Sequence, residues 1–351
     1  MRRILIDDEI RALASSYKDR LKFGRQRNYK SPKAKLKELL EQPELDETQK
    51  RYVRMIIAKW DELILVEPPF KSVIEDFEQI YKADEVSRLT IKNGEKKKFY
   101  KMIVDAMRYD YVQESIYANV MDSLGIRTCV YCNAQYAFSY SSGKKRFINY
   151  ELDHWLPKSK YPYLCTSFYN LQPCCPKCNK SKLNEDTVHP FCLYTRDANK
   201  LYPFKFSIDN KSCAEYLLSH NRDVLRIAFA SDEDGLKENM EQLFGISHQY
   251  QAHKDIAEEI LWKSKIYNKT ILDIYQDSFK ELGFRKSDFN RFVLSNYDRE
   301  EDILKRPLSK MMQDIAKQLG IIKIGGYSKG VLQDGRNCNT LSYDRNNGGE
   351  D

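Results

Sequence analysis

The chain has 351 residues, enough to bury a sizeable core in one large domain or in two to three smaller ones. Its 42% hydrophobic and 31% charged content, with a mean hydropathy of −0.66, describes a well-solvated chain, and no apolar run approaches the ~18 residues of a membrane span. The net charge of +7 is uneven: residues 1–128 carry 26 Lys/Arg against 22 Asp/Glu, residues 129–192 carry 8 against 4, and the remainder 24 against 25. The basic excess of the middle segment suits a polyanionic partner, although a merely solvated basic surface reads equally well from charge alone.

The opening stretch MRRILIDDEIRALAS reaches acids by position 7 and has no long apolar region. It does not read as a secretory signal, and the expected location is the cytoplasm. Residues 1–125 are expected to be a helical region. In DEIRALASSYKDRLKF, Ile10, Leu13, Tyr17 and Leu21 form one stripe at helical spacing. DETQKRYVRMIIAKWDELILV repeats the pattern with Asp46 as N-cap, and the stretch from Asn93 to Leu124 reads as one long helix closed by Gly125. Between Asp19 and Glu38 stand eight basic residues and no acid: Arg20, Lys22, Arg25, Arg27, Lys30, Lys33, Lys35 and Lys37. That run reads either as a track for a phosphate backbone or as a solvated face.

At residue 126 the texture changes. AQYAFSY (134–140) and RFINYEL (146–152) flank a Gly-containing turn and predict a β-hairpin. An irregular stretch with Pro157, Pro162 and Pro173 follows, then a short helix in PKCNKSKLNED with Pro176 in its first turn. Residues 126–195 are expected to form one domain and 196–335 a mainly helical region. Strand-like runs FKFSI and LRIAFA open that region, and a helix is expected over 253–284. The polar tail 336–351 is expected to be flexible.

Seven of the nine cysteines (Cys129, Cys132, Cys165, Cys174, Cys175, Cys178 and Cys192) fall within 64 residues, while Cys213 and Cys338 stand apart. A disulfide framework is not expected in a reducing compartment. Cys129-Val-Tyr-Cys132 and Cys175-Pro-Lys-Cys178 are two CxxC pairs separated by 42 residues, the pattern of a tetrahedral, structural Zn²⁺ site. A thioredoxin-like redox role is disfavoured because neither pair sits in a βαβ pattern. Cys174 rivals Cys175, but the Cys175/Cys178 pairing keeps the usual two-residue gap.

Between the pairs lie Asp153-His154 and Asn170, and Asn179 follows the last cysteine. A lone Asp-His pair is most often surface or packing. The set LDHWLPKSKYP, FYNLQP and CPKCNKSK, however, resembles the HNH (ββα-metal) endonucleases in order and spacing, over about 60 residues of the chain. The resemblance implies an α+β, mostly α protein: a small ββα-metal core with a four-cysteine zinc site, set between two helical regions.

It also implies hydrolysis of phosphodiester bonds in nucleic acid, DNA favoured. His154 is then the general base, since a neutral imidazole accepts a proton near neutral pH. Asp153 and Asn179 become oxygen ligands of a catalytic Mg²⁺ or Mn²⁺, and Asn170 fixes a backbone turn or orients His154. Lys182, Lys180 and Lys158 become contacts to nucleic acid. Two departures stand out: KYPYL replaces a frequent Gly-Gly after the P-x-S element, and Asp rather than His holds the first position.

Tyr131, Tyr136, Tyr140, Tyr150, Tyr161, Tyr163 and Tyr169 lie among basic residues, where they read either as packing or as platforms for bases. His189 reads as structural or as an auxiliary group. The long flanking regions are similar in plan to prokaryotic antiphage-defence nucleases, including Septu-type pairs in which such arms dock an ATPase. Competing with the nuclease are a non-catalytic zinc module that binds nucleic acid or docks a partner, and an HNH enzyme that cuts RNA.

Overall fold

The computed structural model describes residues 1–24, 28–93, 95–143, 145–182, 190–267, 269–283 and 285–321. The expected tail, His189, Arg25 and Arg27 lie outside them. The described chain is mostly α, with small two-stranded sheets, and forms two compact units: residues 1–203 with 233–244, and residues 204–232 with 245 onward. The expected boundary at 125/126 is internal to the first unit. No helix among the described residues is long and apolar enough to cross a membrane.

The first unit opens with β1 (Ile4–Leu5) and α1 (Asp8–Phe23), the latter capped by the Asp7 carboxylate accepting from Ile10 N at 2.9 Å. Its buried stripe is Ile10, Ala14, Tyr17 and Leu21. Then come α2 (Pro32–Leu40) and α3 (Glu47–Leu65), which begins with the expected Asp46 cap, completed into a capping box by Gln49. In the basic run, Lys30 pairs with Glu38, and Lys33 pairs with Asp61 at 2.6 Å. Next are α4 (Lys71–Glu78) and α5 (Ala83–Arg88).

The single long helix expected from Asn93 does not form. β2 (Thr90–Asn93) and β3 (Glu95–Lys98) pair antiparallel, and α6 (Phe99–Ala106) follows. Arg108 then breaks the helix with a left-handed φ of 65°. Beyond it lie α7 (Tyr109–Tyr111), a π-turn at Val112–Ile116 and α8 (Tyr117–Leu124), closed by Gly125 at φ 65° as expected. The Asn93-Gly94 dipeptide is the hairpin signal that helical reading passed over.

The expected hairpin is present with shifted bounds: β4 (Phe138–Ser142) pairs with β5 (Lys145–Asn149). The rest of the second run splits off as β6 (Glu151–His154), whose antiparallel partner is β7 (Leu171–Cys174), with Asp153 opposite Gln172 and His154 opposite Leu171. Directly after β7 comes α9 (Pro176–Lys182), Pro176 at its first position as expected, and it packs against β6. β8 (Tyr194–Thr195) pairs in parallel with β1.

The helices and this segment share one core. Tyr17 Oη donates to Thr166 O at 2.9 Å and Tyr117 Oη to Leu171 O at 3.0 Å, while Phe77 stacks on Tyr163 at 3.8 Å between ring centroids. Tyr131, Tyr150, Tyr163 and Tyr169 are buried packing residues, whereas Tyr136 and Tyr140 are exposed.

In the second unit, the expected strands are β9 (Phe204–Ile208) and β10 (Ile227–Ser231), paired antiparallel, with α10 (Asn210–Ser219) between them. α11 (Leu236–Phe244) belongs to the first unit. The second continues with α12 (Ile246–Gln251) and then, in place of one helix over 253–284, α13 (Lys254–Ile266) and α14 (Lys269–Glu281). α15 (Lys286–Leu294) and α16 (Ser309–Gln318) complete it. α16 covers the edge of β9 with side chains: Asp314 accepts from Phe206 N at 2.9 Å, and Gln318 exchanges bonds of 2.8 and 2.9 Å with Ile208.

Candidate functional site

Two loops of the first unit bring four sulfurs together. The first knuckle turns at Asn133, whose φ is 51°; Asn133 N donates to Cys129 O at 2.9 Å, and its side chain donates to Thr128 Oγ1 at 3.1 Å. The second is β7 running into α9, where Asn179 N donates to Cys175 O at 3.1 Å. Val130 N donates to Pro173 O at 3.2 Å and ties one knuckle to the other. As a result the sulfurs of Cys129, Cys132, Cys175 and Cys178 all lie within 4.8 Å of one another, and all four residues are buried.

Tetrahedral zinc with Zn–S bonds of about 2.3 Å needs sulfurs about 3.8 Å apart, so the set fits a metal of that kind. Hydrogen bonding with Cys129 first, and with Cys178, pulls Cys132 and Cys175 below the ordinary thiol value, while burial pushes Cys129 up. Ala134 N also donates to Cys132 Sγ at 3.4 Å. Cys174 on β7 and Cys165 in the β6–β7 loop are both buried outside the set, and burial pushes the Cys165 thiol up to about 12.

Strand alternation puts Asp153 and His154 in different surroundings at the end of β6. Asp153 is 6% exposed; Tyr131 Oη donates to its Oδ2, and Lys182 Nζ lies 3.1 Å from Oδ2 and 3.3 Å from Oδ1. Burial raises its carboxyl above the usual value, with Lys182 and Tyr131 pulling it back. Lys182 is itself 1% exposed and also donates to the carbonyl of His154. The expected phosphate contact is therefore corrected: α9 turns this ammonium inward, where the carboxylate compensates its burial.

His154 is 4% exposed and packs at 4.8 Å against the ring of Tyr109, whose hydroxyl donates to Leu152 O at 2.5 Å. Its Nε2 lies 2.9 Å from the carbonyl oxygen of Cys165. A carbonyl only accepts, so Nε2 carries the hydrogen and the lone pair of the neutral ring sits on Nδ1. Burial holds the imidazole well below its usual value, and the nearby Lys158 adds to the effect.

Asn170 clamps the β6–β7 loop: its Oδ1 accepts from Leu156 N at 2.8 Å, and its Nδ2 donates to Leu156 O and Leu164 O, each at 3.1 Å. Of its two expected roles it performs the first; the bond that orients His154 comes from Cys165. Asn179 is half-buried on α9, the element that also carries Cys178 and Lys182. Lys180 is exposed, while Lys158 is half-buried, its ammonium 4.0 Å above the Tyr109 ring.

Among the described residues no second group of three or more His, Cys, Asp or Glu donors converges. The expected Mg²⁺ or Mn²⁺ thus rests on one carboxylate, already paired with Lys182, and one amide. Tyr131, which reads from the sequence as packing or as a platform for bases, instead holds Asp153, and its position inside the first CxxC is the signal for this; Tyr109, which packs on His154, carries no such signal.

No protein-family model, no curated protein and no solved structure matches this chain.

Proposed function

We propose that the chain is a metal-dependent endonuclease of HNH type that hydrolyses phosphodiester bonds in nucleic acid, DNA first. One observation carries this reading: His154 is a buried, neutral imidazole whose Nε2 is committed to Cys165 O, which leaves Nδ1 as a base of fixed direction. Water attack on a phosphodiester requires such a base, a group to neutralise charge on phosphorus and a leaving oxygen that departs with a proton. Nδ1 of His154 takes the proton from the attacking water. A hard divalent cation held by Asp153 and Asn179 would supply the positive charge.

Lys182 favours the ionised form of Asp153 against the effect of burial and holds the carboxylate in place. The four-cysteine cluster anchors α9, and with it Asn179, against β6. A zinc module that only binds has no use for an imidazole locked in one tautomer.

The test incubates the purified chain with supercoiled plasmid, single-stranded DNA and RNA in Mg²⁺, Mn²⁺ or EDTA. Metal-dependent nicking or linearisation of plasmid is expected. Absence of hydrolysis on every substrate in both metals overturns the reading in favour of the zinc module, and hydrolysis confined to RNA overturns the choice of DNA.

A further inference from the structure

The ribbon β4–β5 has two unlike faces. Toward α8 it presents Arg146, which pairs with Asp122 and donates to Asn119 Oδ1 at 3.1 Å. Alternation therefore turns Phe138, Tyr140, Lys145 and Phe147 to the other face. There the rings run in sequence. Tyr136 meets Phe138 at 5.9 Å, Phe138 meets Tyr140 at 6.3 Å, and Tyr140 stacks on Phe147 across the strands at 5.2 Å and 16°.

These side chains do not serve the core: Tyr136 is 53%, Tyr140 52% and Phe147 42% exposed. Lys145 shares this face, and residues 134–149 contain no Asp or Glu.

We infer that this face is a binding platform for single-stranded nucleic acid, taking unstacked bases on its rings and a backbone phosphate on Lys145. The inference deepens the proposed function and rests on the reading of the chain as one that acts on nucleic acid. An exposed aromatic strip is unfavourable in water unless a partner covers it. Bases offer π-faces regardless of sequence, and a phosphate backbone complements a strip whose charged side chain is a lysine with no carboxylate beside it.

Position argues the same way. Tyr136 bridges to Thr128, next to the first zinc knuckle, and β5 continues through Tyr150 into β6 with Asp153 and His154. Both ends of the ribbon therefore lead, within a few residues, into the candidate site.

The test measures binding of labelled single-stranded and duplex DNA of one sequence to the full chain by fluorescence anisotropy, without Mg²⁺ or Mn²⁺. Wild type should prefer the single strand. Tyr140→Ala with Phe147→Ala should weaken that binding on the order of 10–100-fold, with zinc content and melting temperature unchanged because both rings are exposed. Tyr140→Trp should retain it. Unchanged affinity of the double variant overturns the inference. So does a loss that accompanies conversion of a dimer to a monomer in sedimentation, which would make the face a contact between copies. A chain that cleaves nothing yet binds through these rings refutes the nuclease reading and leaves the platform standing.

Discussion

Nε2 of His154 and the carbonyl oxygen of Cys165, eleven residues apart in sequence, are held 2.9 Å from each other. The loop between them is fixed by Asn170, so the direction of the imidazole is set by backbone and does not wait for substrate. His154→Ala should lower plasmid cleavage about 10²–10⁴-fold, the usual worth of a general base, and added Mn²⁺ should not restore it. Zinc content should stay the same, because none of the four sulfurs belongs to that loop. Wild-type cleavage by this variant in saturating metal would remove His154 from the chemistry.

Zinc should be present at one ion per chain. Cys129→Ser or Cys178→Ser should release it and unfold the surrounding segment, since structural zinc supplies folding free energy directly, about 10 kcal/mol or more in small zinc domains. Cys174→Ser and Cys165→Ser should keep it, because both thiols lie outside the cluster. Elemental analysis of the four variants decides between the two outcomes.

Asn170→Ala removes three buried hydrogen bonds at once and should destabilise the first unit by about 2–4 kcal/mol. Asn170→Asp keeps the acceptor for Leu156 N but sets an oxygen against Leu156 O and Leu164 O, so it should cost about as much. Denaturant midpoints measure both. A neutral Asn170→Asp would mean that the two donor bonds contribute nothing.

Lys182→Met leaves the Asp153 carboxylate without its buried partner and should cost about 3 kcal/mol or more. As an inward-facing group, Lys182 should add nothing to the salt dependence of nucleic-acid binding. A phosphate contact would instead contribute about one to that slope. A slope that falls by one in the variant would show that Lys182 leaves its pocket to meet substrate.

Glu67 gives a pH signature. Burial raises its carboxyl, but Arg11 at 2.9 Å and Arg196 at 2.6 Å more than offset this, and the net shift is below the usual 4.5. The unfolded chain therefore binds the proton at higher pH than the folded one. The stabilisation is complete above that usual value and is lost as pH falls through the lower, folded one. Glu67→Gln should cost about 1 kcal/mol at neutral pH, both arginines being well exposed, and nothing once the carboxyl is protonated in the native state. Melting curves of wild type and variant should converge in acid; a constant gap would deny the ion pairs their role.

Local chemistry was legible in the sequence wherever it depended on near neighbours. The Asp46 cap, Pro176 at a helix start, Gly125 at a helix end, the Tyr17 stripe and the choice of Cys175 over Cys174 all follow from spacing. What spacing could not reveal was pairing between distant segments. RFINYEL looks like one strand, yet it divides at Tyr150, whose hydroxyl bonds Gln113 O at 3.0 Å, because its second half pairs with a strand that begins at Leu171. Lys182 follows a CxxC pair on a basic helix and so reads as a phosphate contact; only the seating of α9 on β6 shows that it faces Asp153. Arg108 breaks a helix that composition would continue, and nothing in its neighbours announces the left-handed turn.

The separation of the two cysteine pairs also dictates a history for each molecule. Synthesis proceeds at about 5–20 residues per second, so Cys129 and Cys132 leave the ribosome several seconds before Cys178. β1 waits longer still, since its partner β8 begins only at Tyr194. During that interval the first knuckle is a bare dithiol, open to oxidants and to any soft metal at hand, while α1 to α3 can already collapse on one another. The first pair of sulfurs therefore stands without its partners until the second pair has been made, and the cluster can close only after Cys178 has emerged.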